Sequence, residues 1–163
     1  MIVEANSTNK DELKSYIDVM FTEWIDKSSF GVSNTCCPNR TKNEVMERLD
    51  GKSEISYRFF FSTDENGSIN GFLCTNFNEE KKNIKLEYIN VSPNVRGKHI
   101  FRNMLDELCR IAVDVGFEKV ILDTWKENDV AMSAFEKTGF KKVSESCSCC
   151  SVKFEKFLTG QGV

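Results

Sequence analysis

Between Val91 and Phe101 the chain reads VSPNVRGKHIF, a short basic turn that runs into an apolar helical stripe. That is chemistry for an anion. The first amide N–H groups of a helix have no partner inside it, and the helix dipole favours negative charge in front of them. Gly97, Lys98, His99, Ile100 and Phe101 are therefore expected to turn main-chain N–H groups toward a phosphate, with Arg96 and Lys98 adding positive charge. A plain helix N-terminus beneath a basic turn is the alternative. His99 is the sole histidine. Its type is among those enriched at positive φ, which makes it a turn residue first and a phosphate contact second.

The seven cysteines are a second chemical candidate. Cys36 and Cys37 sit in one loop, and Cys147, Cys149 and Cys150 near the end of the chain. Their spacing is not that of a zinc framework, and an odd count argues against a complete disulfide set. Reduced packing or edge cysteines are expected, and no metal, with a metal site or redox-sensitive pair among the clustered cysteines as the alternative. Cys74 and Cys109 fall on apolar faces and read as core.

The elements that must position these residues follow from periodicity. IVEA near the start is a short strand. Leu13, Tyr16, Ile17, Met20, Phe21, Trp24 and Ile25 recur at helical spacing, with Thr8 or Asn9 as the cap. The stretch 28–41 is a loop, and 42–51 a short helix ended by Gly51. Ile55, Tyr57, Phe59 and Phe61 alternate as a strand, DENG turns, and INGFLCTNF returns. In NIKLEYINV the alternation slips: Ile84, Leu86 and Tyr88 share one parity, Ile89 and Val91 the other. A β-bulge near Tyr88 to Asn90 accounts for that slip. After the anion turn come a helix with Phe101, Met104, Leu105, Leu108, Ala112 and Val115 on one face, then an apolar strand KVILDTW. A helix stopped by Gly139 and two closing strands complete the order β-α-α-β-β-β-α-β-α-β-β. The class is α/β or α+β, with a mixed sheet.

Composition sets the bounds. With 163 residues, 40% hydrophobic and 29% charged, the chain is expected to be one soluble globular domain over residues 1–163. A net charge of -3 without a basic block speaks against nucleic acid. No apolar run is long enough for a bilayer, and the opening residues lack the pattern of a secretory signal. A cytoplasmic protein that engages no membrane is expected, as a monomer or a homodimer.

VSPNVRGKHIFRNML resembles the acyl-CoA-binding segment of the GNAT superfamily of N-acyltransferases, whose pattern is Arg/Gln-x-x-Gly-x-Gly/Ala after a Val-x-Pro turn. Val91, Pro93 and Arg96 match, while His99 and Phe101 replace the small residues. NDVAMSAFEKTGF resembles the later Asn-x-x-Ala-x-x-x-Tyr-x-x-x-Gly-Phe helix of that family. Asn128, Ala131, Gly139 and Phe140 match, and Phe135 replaces the tyrosine.

The resemblance implies a mostly antiparallel central sheet flanked by helices, with a bulge that splays two central strands. It implies acetyl-CoA as cosubstrate and a primary amine of a small molecule or peptide as acceptor. The pyrophosphate would rest on the turn, with the ring of Phe101 pointing away into the core. The pantetheine arm would bond the main chain at Ile89, Asn90 and Val91, and Asn128, Ala131 and Phe135 would border it. Glu87 sits where family members often carry a carboxylate base, although a solvated strand glutamate is its other reading. Phe135 cannot protonate the departing thiolate, so water, Ser133, a cysteine or the acceptor would have to. The acceptor cleft would include Trp24, Phe30, the Cys36–Cys37 loop, Tyr57, Phe59 and the final hairpin. The rival readings are an acyl-CoA sensor with little or no transfer activity, and an interaction protein with a vestigial loop.

Overall fold

The computed structural model describes residues 1–24, 38–145 and 151–158. Its strands are β1 (Ile2–Glu4), β2 (Tyr57–Thr63), β3 (Ile69–Asn78), β4 (Asn83–Val91), β5 (Lys119–Trp125), β6 (Lys141–Glu145) and β7 (Ser151–Phe157). They form one sheet in the order β1-β2-β3-β4-β5-β7-β6. All neighbours are antiparallel except β4 and β5, which run parallel. The helices are α1 (Lys10–Val19), α2 (Pro38–Leu49), α3 (Ile100–Asp114) and α4 (Asp129–Lys137).

The sheet is covered on both faces. Under α3 and α4 lies a cluster that includes Phe60, Leu73, Ile84, Leu86, Met104, Leu108, Leu122, Phe135 and Phe154. Under α1 and α2 lies a second, with Leu13, Ile17, Met20, Val45, Phe59, Phe61, Phe72 and Cys74. This two-sided burial explains why β2 departs from simple alternation. Phe59 and Phe61 serve one layer and Phe60 the other, and all are 3% exposed. Ile55, expected to start the strand, precedes it and is 49% exposed.

Local differences have local causes. The first helix passes into a π-helical turn, Met20–Trp24, which sends both Met20 and Phe21 inward. Asn9 holds the N-cap position, but its side-chain oxygen accepts from the Asn6 N–H at 2.7 Å and leaves the helix uncapped by side chains. The second helix begins at Pro38, earlier than the expected residue 42, because proline suits a first helical turn. Cys74 is fully buried and Cys109 half-buried, both against apolar residues as expected. Burial pushes the Cys74 thiol up to about 12, which keeps it neutral and unreactive.

The decisive feature is in β4. Its register against β3 jumps from Leu86↔Thr75 to Tyr88↔Cys74, so Glu87 is the extra residue of a bulge. That is one residue ahead of the expected position. Ile84 and Leu86 belong to the α3 layer before it, and Ile89 and Val91 pack on that layer after it. Tyr88 packs on the opposite layer. The parity therefore reverses across Glu87, and Glu87 and Tyr88 share the α1/α2 face. The parallel pairing with β5 ends at Leu86↔Leu122. From there the two strands diverge, as the family resemblance implied.

Candidate active site

A cavity of about 1470 Å³ follows that divergence. One end is the N-terminus of α3. A 3-10 turn, Pro93–Val95, delivers the chain there, and Gly97 and His99 take the left-handed conformation at φ 79° and 61°. Two residues at positive φ within three positions reverse the backbone sharply enough to aim the amides outward. His99 is the N-cap and its side chain makes no capping bond. The first helical bond is Asn103 N–H to His99 C=O at 2.9 Å. The N–H groups of Ile100, Phe101 and Arg102 thus lie ahead of the helical ladder, on residues that line the cavity.

The strain at His99 is testable. Glycine bears this conformation freely, whereas alanine gains nothing from it. His99→Gly is expected to be more stable than His99→Ala by about 1 kcal/mol in chemical denaturation, with the natural protein in between.

Arg96, Arg102 and Lys137 supply positive charge at the same end. The Arg102 guanidinium also donates to the Lys137 carbonyl at 2.8 Å, which fastens the start of α3 to the end of α4. Burial draws the Arg96 guanidinium below its ordinary value, with Tyr16 opposing, yet an arginine stays charged. Lys98 departs from expectation: it is not part of the lining, and its N–H is committed to the Val95 carbonyl at 3.3 Å. The tight turn consumes that donor.

Along the gap, Ile89, Asn90 and Val91 line one wall, as placed from sequence, with Thr124 and Trp125 of β5 opposite. Tyr16 of α1 donates its hydroxyl to the Asn90 side-chain oxygen at 3.3 Å. Burial pushes the hydroxyls of Tyr16 and Tyr88 well above their ordinary range. Both remain neutral donors, and neither is a base.

Gly71 of β3 sits behind this wall, opposite Val91. A Cβ there would meet the Asn90 carbonyl oxygen at 2.9 Å and the Met104 sulfur at 3.0 Å. Gly71→Val therefore must displace the diverging strand. The expected cost is about 1–3 kcal/mol, read in a thermal melt, because overpacking forces the backbone to move.

The α4 wall holds Asn128, Ala131 and Phe135. Asn128 is the helix N-cap, and its side-chain oxygen accepts from the Ala131 N–H at 3.1 Å, so that pair is spent on the helix. Phe135 is 4% exposed and packs against Phe101, Phe140 and Phe154. Phe101 is half-buried, and its ring lies 5.4 Å from that of Phe135. It borders the cavity and leans on the core, as the sequence required of so large a residue.

The far end is acidic. Glu87, Asp123 and Glu44 line it, with Thr41 beside Glu44 on α2. Glu87 is 15% exposed and lies 3.4 Å from the Lys85 ammonium, which is 3.7 Å from Asp123. Thr41, Glu44, Arg102 and Asp123 were not anticipated. Only Asp123 carried a signal, at the carboxyl end of a strand parallel to its neighbour. Phe59, expected in the cleft, is core instead, and Tyr57 carries the Arg48 guanidinium over its ring at 4.7 Å. Phe30, Cys36, Cys37, Cys147, Cys149 and Cys150 lie outside the described residues, as does the side chain of Trp24. Among the described residues no group of His, Cys, Asp and Glu could hold a metal ion, and no helix is long and apolar enough to cross a membrane.

Solved structures share this fold. A PaiA N-acetyltransferase from Thermoplasma acidophilum in complex with coenzyme A is 17% identical, with a TM-score of 0.67 over 96% of this chain and 99% of that one. A spermidine N-acetyltransferase chimera from Vibrio cholerae and hSSAT is 13% identical, with a TM-score of 0.74 over 97% and 95%. Nourseothricin acetyltransferase is 18% identical, with a TM-score of 0.57 over 63% of this chain and 66% of that one, just under two thirds of its length. No curated protein matches the chain. The family model for Acetyltransferase (GNAT) family matches residues 19–140. By that match across most of its length, the chain belongs to the GNAT family of acetyltransferases.

Proposed function

We propose that residues 1–163 act as one domain that transfers the acetyl group of acetyl-CoA to a primary amine. The observation that carries this reading is one continuous cavity joining uncapped helix amides and cations to a carboxylate, through a gap between diverging strands. The α3 terminus, Arg96 and Arg102 would take the diphosphate. Ile89, Asn90 and Val91 would bond the pantetheine amides as a further strand does, and a main-chain N–H there would polarise the thioester carbonyl. The coenzyme A complex of the Thermoplasma protein supports the choice of cosubstrate.

At the acidic end the amine arrives as an ammonium ion, and Glu87 takes a proton so that a neutral nitrogen attacks. Amide forms and the thiolate leaves. No hydroxyl stands at Phe135 to protonate it. A thiolate is a good leaving group near neutrality, so solvent suffices at some cost in rate. The carboxylates Glu44, Glu87 and Asp123 favour a cationic acceptor over an acidic one.

Coenzyme A should raise the melting temperature, since a ligand that binds only the folded state stabilises it. Release of coenzyme A from acetyl-CoA should then depend on an amine from a panel of polyamines, amino acids, aminoglycosides and peptides. The second reading, an acyl-CoA sensor, is favoured by Phe135 and by the ion pair that already holds Glu87. Tight binding without turnover on any amine supports it; turnover with one amine rejects it.

A further inference from the structure

The candidate base already has an amine beside it. Lys85 and Glu87 lie on the same face of β4, and the Lys85 nitrogen is 3.4 Å from the Glu87 carboxylate. Asp123 on β5 holds the same nitrogen at 3.7 Å. Both carboxylates line the cavity. Lys85 is one residue before the last paired rung, Leu86↔Leu122, where the gap between the strands begins. Lys85 is not itself among the residues that line the cavity, but its nitrogen lies between two carboxylates that are. The protein thus holds a primary amine of its own within proton-transfer reach of the candidate base.

We propose that Lys85 is a site of self-acetylation, modified from acetyl-CoA bound in the same molecule when no external acceptor displaces it. The inference rests on the acetyl-CoA reading above. In the step, Lys85 passes one proton from its ammonium group to Glu87. Its neutral nitrogen attacks the thioester carbonyl, the new N–C bond forms, and the C–S bond breaks with its electron pair on sulfur. A second proton leaves the nitrogen and reaches the thiolate through water. The products are one amide at Lys85, free coenzyme A and one proton released from Glu87 to solvent. The modified side chain carries no charge, so it ceases to hold Glu87 and Asp123.

The full chain is incubated with acetyl-CoA and no amine, and acetylation is mapped by peptide mass spectrometry against time. Lys81 and Lys98, both exposed, report background chemistry in the same sample. Lys85 should gain its acetyl group at least about tenfold faster than either, because positioning raises the effective concentration of a neighbouring group. Its first-order rate should not change with protein concentration. Lys85→Arg, which keeps a cation between the two carboxylates, should lose that adduct while its lysines elsewhere label as before. Lys85 labelling no faster than Lys81 and Lys98, or a rate that scales with protein concentration, overturns the proposal. Calorimetric titration with acetyl-CoA separates the two failures. Binding with no Lys85 adduct sinks only self-acetylation, whereas no binding sinks the acetyl-CoA reading with it.

Discussion

Glu87→Gln lowers the turnover number with the best amine of the panel by about 10²–10³-fold and leaves the Kd for acetyl-CoA within about twofold. The expectation follows from where the bulge puts this side chain. An unbroken strand would send residue 88 to the α3 layer, and Glu87 would be an ordinary member of the opposite face. The extra residue keeps Glu87 and Tyr88 on one face where β4 leaves β5. A carboxylate there faces the gap and has one ammonium neighbour on its own strand. Glutamine has the same shape and can hydrogen-bond an amine, but it cannot take its proton. Binding therefore survives and the chemical step fails, which is a loss in kcat with little change in KM. Among the described residues at this end, Tyr88 stays protonated because burial holds its hydroxyl in the neutral form, Asp123 lies across the gap on β5, and Glu44 stands on α2, so Glu87 is the carboxylate of the bulge itself. Undiminished kcat in Glu87→Gln would remove Glu87 from the reaction and leave deprotonation to solvent.

Much of this site was legible before any coordinates, and the reasons are local. A helix start preceded by a glycine turn reads as an anion site because backbone geometry alone makes it so. The slip in NIKLEYINV reveals a bulge because a strand with both faces buried must pay for every change of parity. Its exact residue was not legible. Parity counts apolar side chains, and Tyr88 fits either layer, so the slip could be placed only to within a residue or two. Lys98 was misplaced because charge in a basic turn says nothing about which amide the turn itself will use. The acidic end was the least legible. Glu44 comes from a helix whose position over the sheet depends on packing between distant segments, and Asp123 meets Lys85 only because β4 and β5 pair in parallel. Such neighbours are far apart in the chain, and no periodicity announces them.

The largest stability change is expected at Phe135. Phe101 and Phe135 are the two aromatic residues that depart from the family pattern at the cleft, and their rings touch, 5.4 Å apart and tilted by 55°. Phe135 also meets Phe140 at 5.7 Å and Phe154 at 6.1 Å. A ring that supports α4, the start of α3 and β7 at once is structural, whatever tyrosine does at its position elsewhere. Phe135→Ala removes all these contacts and leaves a void that backbone shifts only partly close, so the loss should be about 3–5 kcal/mol in chemical denaturation. Phe101→Ala should cost less, since that residue is less deeply buried and borders the cavity. The double variant should lose less than the sum, with a coupling of about 0.5–1.5 kcal/mol for the ring pair. Strict additivity would mean that the two rings are independent in the folded state. A coupling of that size would instead mean that Phe101 rests on the Phe135 ring, 5.4 Å away. The helix start would then keep the amides of Ile100, Phe101 and Arg102 turned to the ligand despite the bulk at Phe101.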